Sequence, residues 1–466
     1  MNRSVMCLLL LLLLFAGRLQ AETSLPGTGE ITVDQAVQEA LASNMGLQSE
    51  AKRLEIKARD KQWSFQRFFP TITAGAGWLR WNDVSSQERL VNITPVVGPM
   101  GITGLTPTIF TPDYQNIGAQ INVQFTLSLT TFAAIRQTLA EWDSGRIDYE
   151  AARQQLARNT RKAFFQILGL LQSRELINEQ VLNAETRLAQ IETGYRVGTM
   201  PELDVLQAQV AVENRHNDLR DIDLRIHQAL YGFSQLLGRS PTTDILLSGT
   251  IDPQPPKGDL SGDDLADRYM ERRFDLRGLD ARDRVLQAQA SAVESEAYPQ
   301  LVLGYSADPS LNDPWHRNFF AGAGWMQVNG GLSVQLQWKL DTLLPGSAYW
   351  TQRADLESAR QGLQDNRKQL WNQARTEINT LVEQIESSKS ALESLERNVT
   401  AARRAETLAQ AAFHAGVKSL LEVQDADLQA QAAQLSLLQE KIRLTDALVD
   451  LEAALNTPME DIHANP

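Results

Sequence analysis

The five histidines of this chain, His216, His227, His316, His414 and His463, are scattered, with neither HExxH nor Cys/His spacing for a catalytic metal. No GxxxxGK[ST] phosphate loop and no GxSxG nucleophile motif occurs. The reading is therefore of a protein without catalytic residues, metal or cofactor, so energy for any vectorial work must come from another protein. What does stand at functional spacing is charge. Glu422 and Asp425 lie three apart, so one helical face carries both, with Lys418 just upstream. Their chemistry is electrostatic: either they act on ions near a helix end, or they are ordinary solvated helix-terminal charges.

The elements that would position these charges are long helices. After "FHAGVKSLLEVQDADL", Val423, Ala430, Leu437, Leu444 and Leu451 recur every seven residues. A second series, Leu421, Leu428, Leu435, Ile442 and Val449, runs two positions earlier, about 200° away around the helix. Val205, Val212, Leu219, Ile226 and Phe233 repeat the pattern against Leu203, Val210, Leu224 and Tyr231, broken only by Asn217. One apolar stripe suffices for a helix lying on a core. Two opposed stripes suit a helix with a neighbour on each side, as in a curved wall, or else a three- or four-helix coiled coil with a wide apolar arc.

The chain also matches itself. At an offset of 229, Asp34 falls on Asp263, Leu47 on Leu276, Arg53 on Arg282, Pro70 on Pro299 and Gly75 on Gly304. At an offset of 218, "YRVGTMPELDVLQAQV" falls on "FHAGVKSLLEVQDADL", pairing Gly198 with Gly416, Leu203 with Leu421, Val205 with Val423 and Ala208 with Ala426. Each copy reads helix, strand, loop, strand, long helix, turn, helix. The expected boundaries are residues 22–252 for the first repeat, 253–259 ("PQPPKGD") for a linker, 260–457 for the second repeat and 458–466 for a tail. In the first copy, Pro70 stops a helix, "TITAGAGWLRW" is a strand, a Pro- and Gly-rich loop runs from Asn82 to about Gln115, and a strand ends near Leu129. One helix then runs from about Phe132 to Thr193, on the order of 90 Å. In the second, a strand follows Pro299, a loop includes "DPSLNDPWHRN", "GLSVQLQWKL" is a strand from Gly331 to Leu340, and a helix runs from about Gly346 to His414.

The strands decide between wall and bundle. "AQINVQFTLSL" and "GLSVQLQWKL" alternate apolar with small polar side chains, and four such segments of roughly ten residues fit tilted membrane crossings. Trp78, Trp81, Trp315, Trp325 and Trp338 fall in or beside these segments, where interfacial rings belong. Four strands leave open edges and closed barrels begin at about eight, so the chain should oligomerise. A soluble sheet with one covered face is the rival, but no separate apolar segment is available to cover it.

Arg3, the apolar run from Leu8 to Ala16, and Leu19-Gln20-Ala21 predict a signal peptide over residues 1–21, too short to span a bilayer. The only cysteine, Cys7, lies within it, so the mature chain has no thiol. Removing that segment moves the formal charge from -13 to -15, which disfavours nucleic acid as a partner.

In these features the sequence resembles the TolC family of outer membrane efflux and secretion channels, from about Ile31 to Thr457. The carriers are the duplicated "VDQAVQEALASNMGLQSEA" and "GDDLADRYMERRFDLRGLD" entries, the two Pro-to-strand transitions and the two glycine turns, all in order. The resemblance implies a mixed α and β membrane protein of the bacterial outer membrane. In it a long antiparallel α-helical barrel crosses the periplasm and continues into a transmembrane β-barrel shared by a homotrimer, four strands per chain and twelve in total. It implies a passive exit duct set in outer membrane lipid and opened by a periplasmic adaptor protein and an inner membrane transporter. The same duct would serve a type I protein secretion system. A periplasmic coiled-coil scaffold without a pore is the reading from another class.

It also implies site residues. Val197, Gly198 and Thr199, with Ala415, Gly416 and Val417, match the adaptor-contact turns. Asp204 beyond the first turn, and Phe413, Lys418, Glu422 and Asp425 around the second, match a periplasmic aperture whose charges threefold symmetry would repeat as rings. Phe413 stands where the family can have tyrosine and Lys418 where it can have arginine, so phenol and bidentate guanidinium contacts are not carried over.

Overall fold

The computed structural model describes residues 30–80, 89–98, 101–110, 115–254, 258, 260–312 and 326–463. The expected signal peptide, most of the linker, and Trp81, Trp315, His316 and Trp325 lie outside the described residues. The chain divides into two compact units, one of residues 1–50, 150–273 and 372–466, the other of residues 51–149 and 274–371.

The second unit holds the strands. Helix α1 (Val33–Ser43), which belongs to the first unit, is followed by α2 (Met45–Gln62), and a 3-10 turn, Ser64–Phe68, leads to Pro70, which stops helical structure before β1 (Thr71–Arg80). β2 (Arg89–Gly98), β3 (Gly101–Phe110) and β4 (Gln115–Leu127) follow, then, later in the chain, β5 (Gln300–Asn312) and β6 (Met326–Gln337). β1, β4, β5 and β6 form one antiparallel sheet in that order, and β2 and β3 form a separate hairpin. Among the described residues of the four-stranded sheet none is buried, and all ten of β1 are exposed. A soluble sheet packed on one face would bury alternate residues. Here Leu332, Val334 and Leu336 stay open, as do Ser333, Gln335 and Gln337 between them.

The strand boundaries differ from the sequence expectation for identifiable reasons. The alternation read through Leu340 ends at Gln337, whose partner Gln300 follows Pro299, a residue with no N–H to continue the ladder. Trp338 turns away and donates its indole Nε1–H to the Ala297 carbonyl at 2.9 Å. β4 stops at Leu127 because the Ser128 Oγ accepts the Thr131 N–H at 3.3 Å, starting α3 (Leu129–Arg196) three residues earlier than expected. The stretch read as a loop from Asn82 to Gln115 contains the β2–β3 hairpin. Pro95 and Pro107 masked it in the sequence; each strand of a two-stranded hairpin has a free edge, so it tolerates a residue without a donor. β5 likewise extends through Asp308 to Asn312, within the stretch read as the second loop.

The first unit contains the ends of the long helices. α3 has 68 residues, and α4 (Glu202–Leu236) follows it across a short turn. After α5 (Gly262–Tyr269) and α6 (Phe274–Ser295), the latter in the second unit, come α7 (Ala348–His414), with 67 residues, α8 (Leu420–Leu455) and the short α9 (Met459–His463). α8 packs on α3 through ion pairs: Asp450 takes Arg158 at 2.8 Å and Lys162 at 3.0 Å, and Glu452 takes Arg161 at 2.8 Å. Phe164, Phe233, Ile167, Ile378, Ile385, Leu444 and Leu451 are among the largest fully buried side chains of this unit.

The two heptad series of α8 separate over its first half and converge toward its C-terminal end. Val423 is 1% exposed and Leu444 and Leu451 are 0%, whereas Leu421, Leu428 and Leu435 are 62%, 51% and 41% exposed and Val449 of the same series is buried. In α4 the split is the same: Val212, Ile226 and Phe233 are buried while Leu203, Val210, Leu224 and Tyr231 are exposed. One stripe is thus covered by the chain itself, and the opposed stripe is left open along α4 and at Leu421, Leu428 and Leu435 of α8, but not at Val449.

Candidate functional site

The site begins with two glycines. Gly198 and Gly416 have φ of 79° and 73°, a left-handed conformation that ends a helix at little cost only for glycine. Around each, the backbone closes in the same way. Gly198 N–H reaches the Tyr195 carbonyl at 3.0 Å and Thr199 N–H the Gly194 carbonyl at 2.8 Å; Gly416 N–H reaches Phe413 at 2.8 Å and Val417 N–H reaches Ala412 at 2.9 Å. These are the paired bonds of the Schellman motif. A Cβ at either glycine would meet nothing within 4 Å, so the requirement is purely conformational.

Both turns rest on one apolar cluster. Ile191 of α3, Ala208 of α4 and Leu420 of α8 form its buried centre, with Leu188, Val205 and Phe413 packed against them. All four long helices therefore contribute to it. Val197 and Val417, in contrast, are 70% and 78% exposed at the turns themselves. Large apolar side chains held outward on preformed turns are suited to contact with another surface.

The flanking residues differ. In the first turn, the Thr199 hydroxyl donates to the Gly194 carbonyl at 3.0 Å, and α4 begins at Pro201, which offers no side-chain cap. In the second, Ser419 and Glu422 form a capping box: Glu422 N–H donates to Ser419 Oγ at 3.4 Å and Ser419 N–H donates to Glu422 Oε2 at 2.9 Å. Ser419 Oγ–H donates to the same carboxylate oxygen at 3.1 Å, and Lys418 Nζ stands 3.5 Å from Oε1. The Ser419 backbone N–H, then its hydroxyl, then the Lys418 charge hold the Glu422 carboxyl below its usual range.

Of the five residues matched to an aperture, Lys418, Glu422 and Asp425 are exposed on the second turn and the helix it starts, and Asp204 is half-buried on the helix after the first. Neither Asp204 nor Asp425 makes a side-chain hydrogen bond or ion pair among the described residues. Phe413 is half-buried and packs into the four-helix cluster. All six residues matched to contact turns lie on the two turns.

The sequence reading did not pick out Ser419, although S-x-x-E before an apolar run is a capping signature, nor Ile191 and Leu420, which the cluster makes central. It also missed a charged junction behind the cluster. Arg187 of α3 lies 3.9 Å from Asp427 of α8, and Glu406 of α7 has its carboxyl pushed up by burial and by Asp427, against the pull of Arg187 and Arg403. Among the described residues no group of His, Cys, Asp and Glu could hold a metal ion, and no helix is long and apolar enough to cross a membrane.

Comparison with known proteins identifies a family and a fold. A family model described as "Outer membrane efflux protein" matches residues 36–239 and 265–457. "Pyoverdine export outer membrane protein OpmQ" of Pseudomonas aeruginosa is 23% identical over 335 residues, covering 69% of this chain and 66% of its own length. "Nodulation protein T" of Rhizobium leguminosarum bv. viciae is 22% identical over 436 residues, 91% of this chain and 82% of its own. Among solved structures, the Campylobacter jejuni CmeC outer membrane channel has a TM-score of 0.71 at 15% identity, covering 91% of this chain and 85% of that one.

Proposed function

This chain belongs to the outer membrane efflux protein family, that of TolC, and on that premise we propose that it is the exit duct of a tripartite efflux system. Three copies each contribute the four-stranded sheet to a twelve-stranded barrel in outer membrane lipid, with the long helices forming a tunnel in the periplasm. The duct is passive. Its tip, built from the two glycine turns, receives a periplasmic adaptor and an inner membrane transporter, and the acidic residues there narrow an aperture that opens on engagement.

One observation carries this reading: a sheet in which no described residue is buried and whose outer strands, β1 and β6, each pair on one side only. Such a sheet needs an apolar solvent on one face and further strands at both edges. The open heptad stripe of α4 supports the same conclusion for the helices. OpmQ is by name a pyoverdine exporter, which supports a small-solute duct ahead of a polypeptide secretion outlet.

Imaging of the detergent-solubilised particle tests the architecture: a hollow cylinder with threefold symmetry is expected, and a monomer that stays dissolved in plain buffer overturns it. Alkaline washing of membranes separates the duct from a peripheral coiled-coil scaffold, since only the scaffold is released. Reconstitution into planar bilayers should give discrete conductance steps.

A further inference from the structure

The three acids matched to the aperture are not equivalent. Both carboxylate oxygens of Glu422 are already engaged within its own turn, Oε2 by the N–H and hydroxyl of Ser419 and Oε1 by Lys418. Asp204 and Asp425 have no such partners among the described residues. Glu422 could turn toward a pore axis only by breaking the cap. That cap has a structural consequence, because Ser419 directly precedes Leu420, which is 4% exposed at the centre of the four-helix cluster. Val417, on the other side of Ser419, is held outside. The box thus fixes the point at which the chain passes from exposed turn to buried helix.

We propose that Glu422 is a positioning residue: the clasp that presets the second tip turn for a partner, leaving Asp204 and Asp425 to supply the electrostatic field of the aperture. A turn fixed at both ends, by the Schellman bonds before it and the capping box after it, is ordered before the partner arrives and loses little entropy on binding. The proposal rests on reading the tip as the aperture end of the duct. It departs from the assignment the family resemblance implies, in which Glu422 and Asp425 are equivalent ring charges.

The two roles are separable because glutamine at the third helical position still completes a capping box but carries no charge. The full-length protein is reconstituted in planar bilayers and its block by lanthanum(III), added on the side of the helical tip, is measured alongside amide exchange of the segment 415–422. Glu422→Gln is expected to keep the block within about twofold and to keep most of the amide protection, giving up only what the carboxylate's charge adds to the cap. Glu422→Ala is expected to keep the block and to speed exchange at residue 419, whose N–H the carboxylate accepts, on the order of tenfold or less, the range a lost cap allows. Asp425→Asn is expected to weaken block at least severalfold with protection unchanged. A loss of block in Glu422→Gln equal to that in Asp425→Asn overturns the clasp, as does unchanged exchange in Glu422→Ala. Unchanged block in both Asp204→Asn and Asp425→Asn overturns the assignment of the field. If the wild-type protein forms no pores, the duct reading fails, while the exchange measurements still decide the clasp.

Discussion

The two glycine turns share a backbone and differ in how they are fixed. Gly198 and Gly416 take the same left-handed conformation, and the same pair of hydrogen bonds closes the helix before each. After that the first turn is held from behind, by the Thr199 hydroxyl on the helix it leaves, and enters α4 at an uncapped proline. The second is held from ahead, by Ser419 and Glu422 on the helix it enters. A common backbone therefore needs few particular residues beyond glycine, whereas the stiffness of each turn is set by side chains that need not match.

The largest effect should come from a third turn of the same type, at the far end of α4. Gly238 has φ 73°, and its N–H and that of Arg239 bond the Gln235 and Ser234 carbonyls as in the tip turns. There a Cβ would stand 2.3 Å from the Ser43 carbonyl oxygen, a backbone atom that cannot move aside. Gly238→Ala adds overpacking of about 1–3 kcal/mol to a left-handed penalty of about 1–2 kcal/mol. Gly198→Ala and Gly416→Ala carry only the penalty, so thermal unfolding should rank the first variant well below the other two, which should be alike. A large difference between the tip variants would mean that their surroundings, open in the structure, are not equivalent.

Next comes the cap. Ser419→Ala should destabilise α8 by about 1 kcal/mol, with faster amide exchange at residues 419–422, while Pro201→Ser should slow exchange at residues 203 and 204 by supplying the hydroxyl the first turn lacks. If both leave exchange unchanged, the asymmetry between the turns is geometric and without energetic weight.

How far this contrast was legible in the sequence depended on range. The glycines and the heptads were readable because their spacing is local, and the structure sorts the heptads into covered and open stripes in α4 and in the first half of α8, while Val449 near the end of α8 is covered. The capping box was equally local, yet Glu422 was read for its charge and its backbone partner was passed over. Phe413 was placed at an opening by analogy. Its packing against the cluster of Ile191, Ala208 and Leu420 depends in part on chain segments about two hundred residues away, and no periodicity reports that. The β2–β3 hairpin was hidden by Pro95 and Pro107, whose cost in a central strand does not apply to a free edge.

Acid should sharpen the contrast from both sides. The Glu422 carboxyl lies below its ordinary value, so the charge-dependent part of its contribution to the second turn is complete above that ordinary value and is lost as pH falls through the depressed one. Glu406, raised first by burial and then by Asp427, has the opposite sign: the packed junction behind the tip gains stability as pH falls through the raised value, when that carboxyl is neutralised. The first turn has no titrating cap. Exchange corrected for its intrinsic pH dependence should therefore accelerate at residues 419–422 on acidification, slow in the peptides around Glu406, and remain level at residues 198–203. Glu406→Gln should abolish the middle response alone.

The smallest effect tests what the clasp needs. Lys418 lies four residues before Glu422, and the side chains of both are about half exposed, at 43% and 50%. Water and salt screen such a pair, and two long side chains lose entropy in holding it. The capping bonds to Ser419 are shorter, and the backbone N–H among them is already fixed in place. Lys418→Met should therefore leave exchange at residues 419–422 nearly unchanged at moderate salt and indistinguishable from the parent at about 1 M salt, where the Debye length is about 3 Å. Acceleration matching that of Ser419→Ala would make the ion pair, rather than the capping box, the element that fixes the second turn.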